Sequence, residues 1–306
     1  MHPRLEWLSR HQNGVFATFQ ARGAGYSRDE IRQRLATRRW VSLRRGIMAT
    51  AETVAAADGD SVATHLLHGA AALLAISADP VLSHGTAAQA WGIPLLGHRS
   101  DVVAVTVERQ HRRRAPGLDL HTARTPPWHR SRARGLPVTS VARTVSDLAR
   151  SFGLRSGVVA ADAALHAGLC ERADLERVIS DCWVWRGIAK TKRVLELSDR
   201  RSESPGESLS RLAFDAEGIA RPTPQAELLL EGRRVRVDFL WPAQRLVGEF
   251  DGRVKYGEAR DLWAEKQRED LIRRCGYRVV RWVWSEVFPD PGVMLARVRG
   301  ALASCA

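Results

Sequence analysis

The stretch VDFLWPAQRLVGEFDGRVKYG, residues 237–257, decides how the C-terminal part of the chain folds. Its two apolar runs are separated by Pro-Ala-Gln at 242–244, and a proline at that place presets a backbone dihedral of a turn. The stretch therefore predicts two neighbouring strands joined by a tight turn. Three acids, Asp238, Glu249 and Asp251, lie among residues that otherwise have the composition of a buried sheet.

The spacing of these acids indicates that they meet. Residues two apart on a strand share a face, so Glu249 and Asp251 point to the same side, and Asp238 reaches that side from the adjacent strand. Uncompensated carboxylates on buried strands are costly, and a hard cation such as Mg²⁺ binds oxygen ligands. The acids therefore predict a cation site. The alternative is that Asp238 pairs with Arg236 or Arg253. In that case the Asp-Gly at 251–252 makes only a turn.

The sequence around this hairpin predicts an alternation of helices and strands. We expect a helix at 207–217, strands at about 226–230, 234–241 and 245–251, a helix at 259–275, a strand at 277–284 and a final helix at 291–303. Helix, three strands, helix and strand is an order that resembles the core of the PD-(D/E)xK nuclease fold. A nuclease of that kind needs acids at defined places, because it cuts phosphodiesters with a divalent metal.

Six short motifs sharpen that resemblance. They are SPGESLSR, the PxPQ at 222–225, VDFLW, EFDGRVKYG, EKQRED and GYRVVRWVW. Over about residues 202–290 they resemble a bacterial family of uncharacterised domains that is related to the very-short-patch repair (Vsr-like) endonucleases. The resemblance implies that Glu207, Asp238, Glu249 and Asp251 occupy the catalytic metal-site positions. The metal, Mg²⁺ or Mn²⁺, would polarise the scissile phosphate and activate a water for in-line attack.

The chain departs from the general motif at one catalytic position. That motif has a lysine two residues after the strand acid, where Asp251 stands; the Vsr-like branch also lacks it. Lys255 and Lys266 are the candidates for the missing positive charge. Both are lysines in a chain where only four of 47 basic residues are lysine. Alternatively, Lys266 only pairs with Asp270 one helical turn later.

The N-terminal 50 residues predict a small helical unit that is followed by a wing. Two short helices at 4–12 and 17–21 precede a basic helix, for which Ser27 and Glu30 form a capping box. VSLRRGIMAT then predicts a strand, a turn and a second strand. This order is that of a winged helix-turn-helix, which places its second helix in the major groove. The expected DNA-binding residues are Arg28, Arg32, Arg38, Arg39, Arg44 and Arg45. A three-helix bundle with a solvated basic face is the alternative.

Residues 61–180 predict a mixed α/β segment. HQNGVF, LSHGTAAQAWGI and LPVTSVARTVSDLA, in that order, resemble the AbiEi family of antitoxins of type IV toxin–antitoxin systems, over about residues 4–170. The resemblance implies a winged-helix DNA-binding domain used in autoregulation and an α/β domain that helps to neutralise a partner toxin.

The stretch 107–135 predicts an exposed hairpin and loop, with a second phosphate-contacting surface as the alternative. His111, His121 and His129 lie in it without metal-ligand spacing, so we assign them no chemistry.

The composition favours a polyanionic partner. The 306 residues carry a net charge of +13, and the sequence pI is about 10.7. Residues 1–50 hold ten Arg against three acids, and residues 108–134 hold eight Arg against two, which together equal the whole net charge. Such an excess indicates nucleic acid. The four cysteines form no CxxC pair, so we expect neither a zinc site nor a disulfide framework.

No segment has the roughly 18 uninterrupted apolar residues of a membrane span, and the N-terminus lacks an apolar signal region. We therefore expect a cytoplasmic protein without a membrane partner.

These observations predict an α/β (α+β) protein with three domains: a winged helix at 1–55, an AbiEi-like α/β domain at 56–200 and a Vsr-like endonuclease-related domain at 201–306. The leading hypothesis is a DNA-binding protein with a Mg²⁺-dependent endonuclease domain, in a defence or toxin–antitoxin context. Its alternative is an AbiEi-like antitoxin or repressor whose nuclease-like domain does not cut. A third is an RNA-directed nuclease of a defence system. The expected partners are DNA and, for an antitoxin, a cognate toxin; no small-molecule cofactor is expected.

Overall fold

A computed structural model describes residues 1–97, 102–108, 116–252 and 259–304 of the chain. The described residues form a mixed α/β protein with three separate sheets. The chain divides into two compact units. Unit 1 comprises Met1–Ala160 and Cys170–Leu195, and unit 2 comprises Ala161–Leu169 and Glu196–Ala306. Within the described ranges, no helix is both long enough and apolar enough to cross a membrane.

The N-terminal elements of unit 1 follow the predicted order, with one extra strand. They are α1 (Pro3–His11), β1 (Val15–Ala17), α2 (Thr18–Gly23), α3 (Arg28–Ala36), β2 (Trp40–Arg44) and β3 (Ile47–Thr50). The strands form an antiparallel sheet in the order β1-β3-β2. The predicted capping box of α3 is confirmed, because the Glu30 N–H donates to Ser27 Oγ and the Ser27 N–H donates to Glu30 Oε2. Strand β1, at only three residues, is too short for a periodic signal.

The rest of unit 1 surrounds a five-stranded mixed sheet, in the order β6-β5-β4-β8-β7. Its elements are α4 (Ala51–Ala57), α5 (Ser61–Ala75), β4 (Val81–Leu82), α6 (His84–Trp91), β5 (Val103–Val107), β6 (Leu118–Thr122), β7 (Arg130–Ala133), β8 (Leu136–Thr139), α7 (Val141–Phe152), α8 (Leu154–His166, which continues past Ala160), α9 (Arg172–Asp181) and α10 (Ile188–Leu197, which ends beyond Leu195).

The basic stretch 107–135 ends in a hairpin of β7 and β8, whose turn carries no clear sequence signal. Its turn residues Arg134 and Gly135 both have positive φ, at 48° and 78°, as a two-residue hairpin of type I′ requires. Arginine at the first of these places and a proline in β8 hide that signal. The stretch 107–135 therefore contains β6 and β7 and is not only an exposed hairpin and loop, although residues 109–115 lie outside the described part.

The core of unit 1 buries polar side chains as well as apolar ones. On α7, Arg143 Nε donates to Asp147 Oδ2 over 2.9 Å, and both side chains are almost completely buried. Two histidines that the sequence left without a role lie nearby. His121 stacks on His84, and His129 lies 3.2 Å from an Asp181 carboxylate oxygen. The third, His111, lies outside the described residues.

Unit 2 has the predicted order of helix, three strands, helix and strand. Its elements are α11 (Pro205–Ala216), β9 (Thr223–Leu230), β10 (Arg233–Trp241), β11 (Leu246–Asp251), α12 (Ala259–Arg274), β12 (Arg278–Val283) and α13 (Gly292–Ala303). The sheet order is β12-β11-β10-β9, with β12 parallel to β11 and the other pairs antiparallel.

The two faces of this sheet pack against different partners. One face, with Val247, packs on Leu271 and Ile272 of α12. The other face carries aromatic side chains around α11, among them a Phe239–Trp282 stack with ring centroids 5.6 Å apart. A side chain at Gly248 would collide with Trp241 and Trp282 on this face, so only glycine fits there. The predicted alternation along β11 is thus confirmed.

Candidate functional site

Helix α11 places Glu207 in its first turn, where it also stabilises the start of the helix. The Glu207 N–H donates to Ser204 Oγ over 3.2 Å, and the Ser204 hydroxyl donates to Glu207 Oε1 over 2.8 Å. The second carboxylate oxygen accepts the Glu203 N–H over 3.1 Å. Glu207 is therefore buried and well hydrogen-bonded, as an acid at a helix N-terminus should be.

Gln225 on β9 joins Glu207 to Asp238. Its Nε2 donates to Glu207 Oε2 over 2.8 Å and to Asp238 Oδ1 over 3.2 Å. The backbone of Gln225 has a φ of 50°, which is rare for a residue other than glycine and costs energy. A non-glycine residue in this strained conformation is thus held where one amide group links the buried carboxylate of Glu207 to the half-buried one of Asp238.

Asp238 and Glu249 lie next to each other on adjacent strands. Phe239 pairs with Gly248, so the same register carried one residue further brings Asp238 opposite Glu249. The Phe250 N–H donates to Asp238 Oδ2 over 2.8 Å. This arrangement confirms that the two predicted strands bring these two acids together.

The electrostatics of this pair are unfavourable to two negative charges. Burial, and then the charge of Glu207, raise the pKa of Asp238 to about 6. Burial raises the pKa of Glu249 to about 7; Arg268 opposes the shift and Asp238 adds to it. Adjacent carboxylates with such raised pKa values are characteristic of sites that bind a cation or transfer a proton.

Glu249 also has an oxygen that lacks a hydrogen bond. Its Oε1 lies 3.1 Å from Arg268 Nη2 in an ion pair, and beyond this contact the buried oxygen accepts from no donor among the described residues. Arg268 donates instead to Glu265, through Nε and Nη2 over 2.9 Å each. Unsatisfied buried oxygens are rare in native proteins, and such an oxygen usually binds a ligand, an ion or a water.

Asp251, the third predicted ligand, interacts with a different cation. Arg281 on β12 donates to Asp251 Oδ1 over 3.0 Å and to Glu265 Oε1 over 2.6 Å. Hydrogen bonds from Arg268, and then from Arg281, lower the pKa of Glu265 to about 2. Two arginines and four acids therefore form a continuous network between β11, β12 and α12. Its members are Glu249, Asp251, Glu265, Glu269, Arg268 and Arg281.

The positive charge beside the acids comes from arginines that sequence analysis did not single out. Lys266 is exposed on α12, and no ion pair joins it to Asp270 within the described part of the chain. Lys255 lies outside the described residues. One signal for Arg268 was present: Glu265 and Arg268 are three apart, so they share the face of α12 that carries Leu271 and Ile272 to the sheet.

A divalent cation fits the donor set of this site only in part. Carboxylate oxygens are the ligands that Mg²⁺ and Mn²⁺ prefer, and Glu249 Oε1 is a buried acceptor without a donor. Asp238 and Glu249 are therefore suited to hold such an ion. However, no group of three or more His, Cys, Asp and Glu side chains is arranged for a metal ion within the described ranges. Of the two arginines considered above as alternative partners of Asp238, Arg236 bonds Glu203 instead, and Arg253 lies outside the described residues.

Five of the six arginines predicted to bind DNA lie on the surface of unit 1. Arg28, Arg32, Arg38, Arg39 and Arg45 are exposed. Arg32 forms an exposed ion pair with Asp29. Arg44 differs from the other five because it is half-buried and donates to the Gly117 carbonyl over 3.1 Å. Burial lowers the pKa of its guanidinium.

The chain is similar to proteins that have no described activity. Two proteins of Mycobacterium tuberculosis, one from strain CDC 1551 / Oshkosh and one from strain ATCC 25618 / H37Rv, are each described as uncharacterized and are 29% identical to it over 168 residues. The match covers 55% of this chain and 62% of each relative. The chain thus spans less than two thirds of the length of the curated relatives it matches. No family model matches the sequence.

Proposed function

We propose that the protein binds DNA through the exposed arginines of its first 55 residues and hydrolyses phosphodiester bonds at the carboxylates of residues 201–306. The observation that carries the second half is the Asp238–Glu249 pair: a half-buried and a buried carboxylate with raised pKa values, of which Glu249 has an oxygen whose one neighbouring donor is Arg268. A divalent cation between the two carboxylates would relieve their repulsion and give this oxygen a ligand.

Each residue of the site has a separate role in this proposal. Asp238 and Glu249 hold the ion, while the Phe250 N–H orients Asp238 and the Gln225 amide fixes Glu207 beside it. The bound ion, Mg²⁺ or Mn²⁺, supplies positive charge to the scissile phosphate and activates a water. The element order of unit 2 supports the proposal that it has a restriction-endonuclease-like fold.

Delivery to DNA is assigned to the N-terminal elements. Their order of helix, strand, two helices and two strands supports a winged helix-turn-helix in which α3 contacts the major groove and β2 and β3 form the wing. An AbiEi-like domain at 56–200 that contacts a toxin remains part of the proposal. It rests on the resemblance of the motifs alone.

A plasmid assay tests the nuclease activity. Wild-type protein with Mg²⁺ or Mn²⁺ should cut a plasmid, while a Glu249→Ala and Asp251→Ala double variant should not, and chelation should abolish cutting. Glu227→Gln, which changes an exposed acid on β9, is the matched control and should cut like wild type. Equal loss in the control would show that activity depends on the general charge of the domain rather than on this site.

The salt dependence of DNA binding tests the N-terminal surface. Each phosphate contact that is lost should reduce the slope of log K against log salt by about 0.9, so an Arg38→Ala, Arg39→Ala and Arg45→Ala variant should lose up to about 3. Arg44→Ala is the matched control, because Arg44 is engaged by the Gly117 carbonyl, and it should leave the slope unchanged. An unaltered slope in the triple variant removes this surface from the proposal.

One observation favours a second function, that of a DNA-binding repressor or antitoxin that does not cut. Arg268 lies against Glu249 and Arg281 is hydrogen-bonded to Asp251, so cations of the chain itself already face two of the predicted metal ligands. Intact plasmid, together with a retained gel shift and no heat of Mn²⁺ binding by calorimetry, would establish this function in place of the first.

A further inference from the structure

Arg268 makes contacts of two different qualities. Its Nε and Nη2 both donate to the Glu265 carboxylate over 2.9 Å, and its Nη1 donates to the Arg236 carbonyl over 3.0 Å. These three bonds fix the direction of the guanidinium. The contact with Glu249 is different, because it is a single one: Nη2, which also donates to Glu265, lies 3.1 Å from Glu249 Oε1. Losing the Glu249 contact would therefore leave Arg268 its three bonds to Glu265 and Arg236.

Arg281 provides the contrast within the same network. It donates well-formed hydrogen bonds to Asp251 and Glu265, and it lies 3.0 Å from Glu269 Oε2. Three carboxylates therefore surround its guanidinium. Arg281 thus links β12 to α12 through three carboxylates, although its buried Nε has no acceptor among the described residues, whereas Arg268 directs the same Nη2 at Glu265 and at Glu249.

The charge of the site determines what that partner is. Three guanidinium groups, those of Arg268, Arg281 and Arg273, face five carboxylates, which are Asp238, Glu249, Asp251, Glu265 and Glu269. A phosphodiester would be repelled by this excess unless a cation binds and a positive group reaches its oxygens. A guanidinium has the planar fork that matches two phosphate oxygens, and the side chain of Arg268 is 27% exposed. Arg268 is thus both oriented and accessible.

We propose that Arg268 is the phosphate-binding group of the site, and that its contact with Glu249 is a resting state that the divalent cation and the phosphodiester together replace. Glu249 then turns to the cation, and the freed side of the guanidinium contacts the oxygens of the scissile phosphate, where negative charge develops in the transition state. Glu265 keeps the guanidinium aimed throughout. This inference rests on the proposed nuclease function and names the group that recognises its substrate.

Two substitutions of Arg268 and one control test the inference. Arg268→Gln removes the charge, and Arg268→Lys keeps it but loses the fork. Arg274→Gln changes an exposed arginine on the same helix. For Arg268→Gln we expect Mn²⁺, titrated alone by calorimetry, to bind about tenfold more tightly because a competing cation is gone. Plasmid cleavage should fall about 10² to 10³-fold, as on loss of a transition-state donor. Arg268→Lys should regain part of the cleavage, and Arg274→Gln should match wild type in both measurements.

The possible outcomes separate this inference from the function on which it rests. Wild-type protein that neither cuts plasmid nor binds Mn²⁺ overturns the nuclease function and the role of Arg268 with it. Wild-type cutting that Arg268→Gln leaves intact overturns only the role of Arg268. Weaker Mn²⁺ binding in a folded Arg268→Gln variant, confirmed as folded by circular dichroism, also overturns it, because Arg268 would then support Glu249 rather than compete for it.

Discussion

The two units each bury an acid beside an arginine, and the two pairs differ in how completely they are satisfied. In unit 1, Asp147 accepts from Arg143 over 2.9 Å and from Arg150 over 3.2 Å, and its side chain is 0% exposed. Burial opposes ionisation of Asp147, but the charges of His84 and Arg143 outweigh it and lower the pKa. In unit 2, Glu249 has a single ion-pair contact, with Arg268 over 3.1 Å, and burial raises its pKa to about 7.

The difference distinguishes a structural ion pair from one that we propose to be functional. In a buried pair whose hydrogen bonds are all made, removing either partner destabilises the protein, because the other partner is left as an unpaired buried charge. In a buried acid with a raised pKa, the ionised form is destabilised by its surroundings. Such acids are frequent at functional sites, where a bound ligand can offset that destabilisation. An acid beside an arginine is thus fully hydrogen-bonded in unit 1, whereas in unit 2 the acid keeps a raised pKa, which supports the proposed site.

The largest expected effect is on the pair in unit 1. Asp147→Asn should destabilise unit 1 by about 3 to 5 kcal/mol, since Arg143 keeps its charge in a site where it is 1% exposed. Urea unfolding followed by near-ultraviolet circular dichroism measures the loss. Glu176→Gln, which breaks the exposed pair with Arg172, is the control and should change stability by less than about 1 kcal/mol. A cost below 1 kcal/mol for Asp147→Asn would remove the structural half of the comparison.

The pH dependence of stability should have opposite signs in the two units between pH 7.5 and 5. Burial lowers the pKa of His84 from 6.5 to about 4, so the folded state binds fewer protons than the unfolded chain and unit 1 loses stability as the pH falls. Glu249 has a raised pKa, so the folded state binds more protons and unit 2 gains stability over the same range. Between pH 7.5 and 5, each of these two pKa shifts changes the free energy of unfolding by about 2 kcal/mol.

Amide hydrogen exchange at pH 7.5 and at pH 5 measures the change in stability of both units in one sample, once the rates are corrected for the pH dependence of intrinsic exchange. Peptides of α7 should lose protection at pH 5, and peptides of β11 should gain it. Adding His84→Phe should reduce the loss in α7 and leave β11 unchanged; burial also lowers the pKa of His129, which accounts for a remaining part of the loss. A loss of protection in both peptides at pH 5 would mean that the buried acids of unit 2 are not strained in their ionised form.

Much of the fold was predictable because its signals are local. The capping box at Ser27, the alternation along β11 and the turn after Trp241 each depend on a few neighbouring residues, and all are present. The pairing of β7 with β8 was not predicted, because Arg134 occupies a positive-φ position of the turn. Glycine or asparagine usually stands at such a position and reveals the turn in the sequence. Short elements such as β1 have too few residues for periodicity to be visible.

The site was predictable in its acids and not in its arginines. Asp238 and Glu249 follow from strand alternation and the register of one hairpin. Arg268 and Arg281 come from a helix and a strand that are distant in sequence, so their contacts with the acids depend on how α12 packs on the sheet. In a chain whose basic residues are nearly all arginine, composition also gives no sign of which ones are buried. The rarity of lysine in this chain favoured Lys255 and Lys266 as phosphate-binding groups, yet Lys266 is exposed to solvent.

The smallest expected effect is on the pair in unit 2, and it has the opposite sign to that in unit 1. Glu249→Gln at pH 7.5 should leave unit 2 unchanged or stabilise it by about 1 kcal/mol, because it removes a strained charge while Arg268 keeps Glu265. Mn²⁺ should raise the melting temperature of the wild-type protein and not of this variant, which shows that the removed charge serves the ion. If Glu249→Gln instead costs as much as Asp147→Asn, the contact with Arg268 is a structural ion pair like that of Asp147, and unit 2 holds no open site.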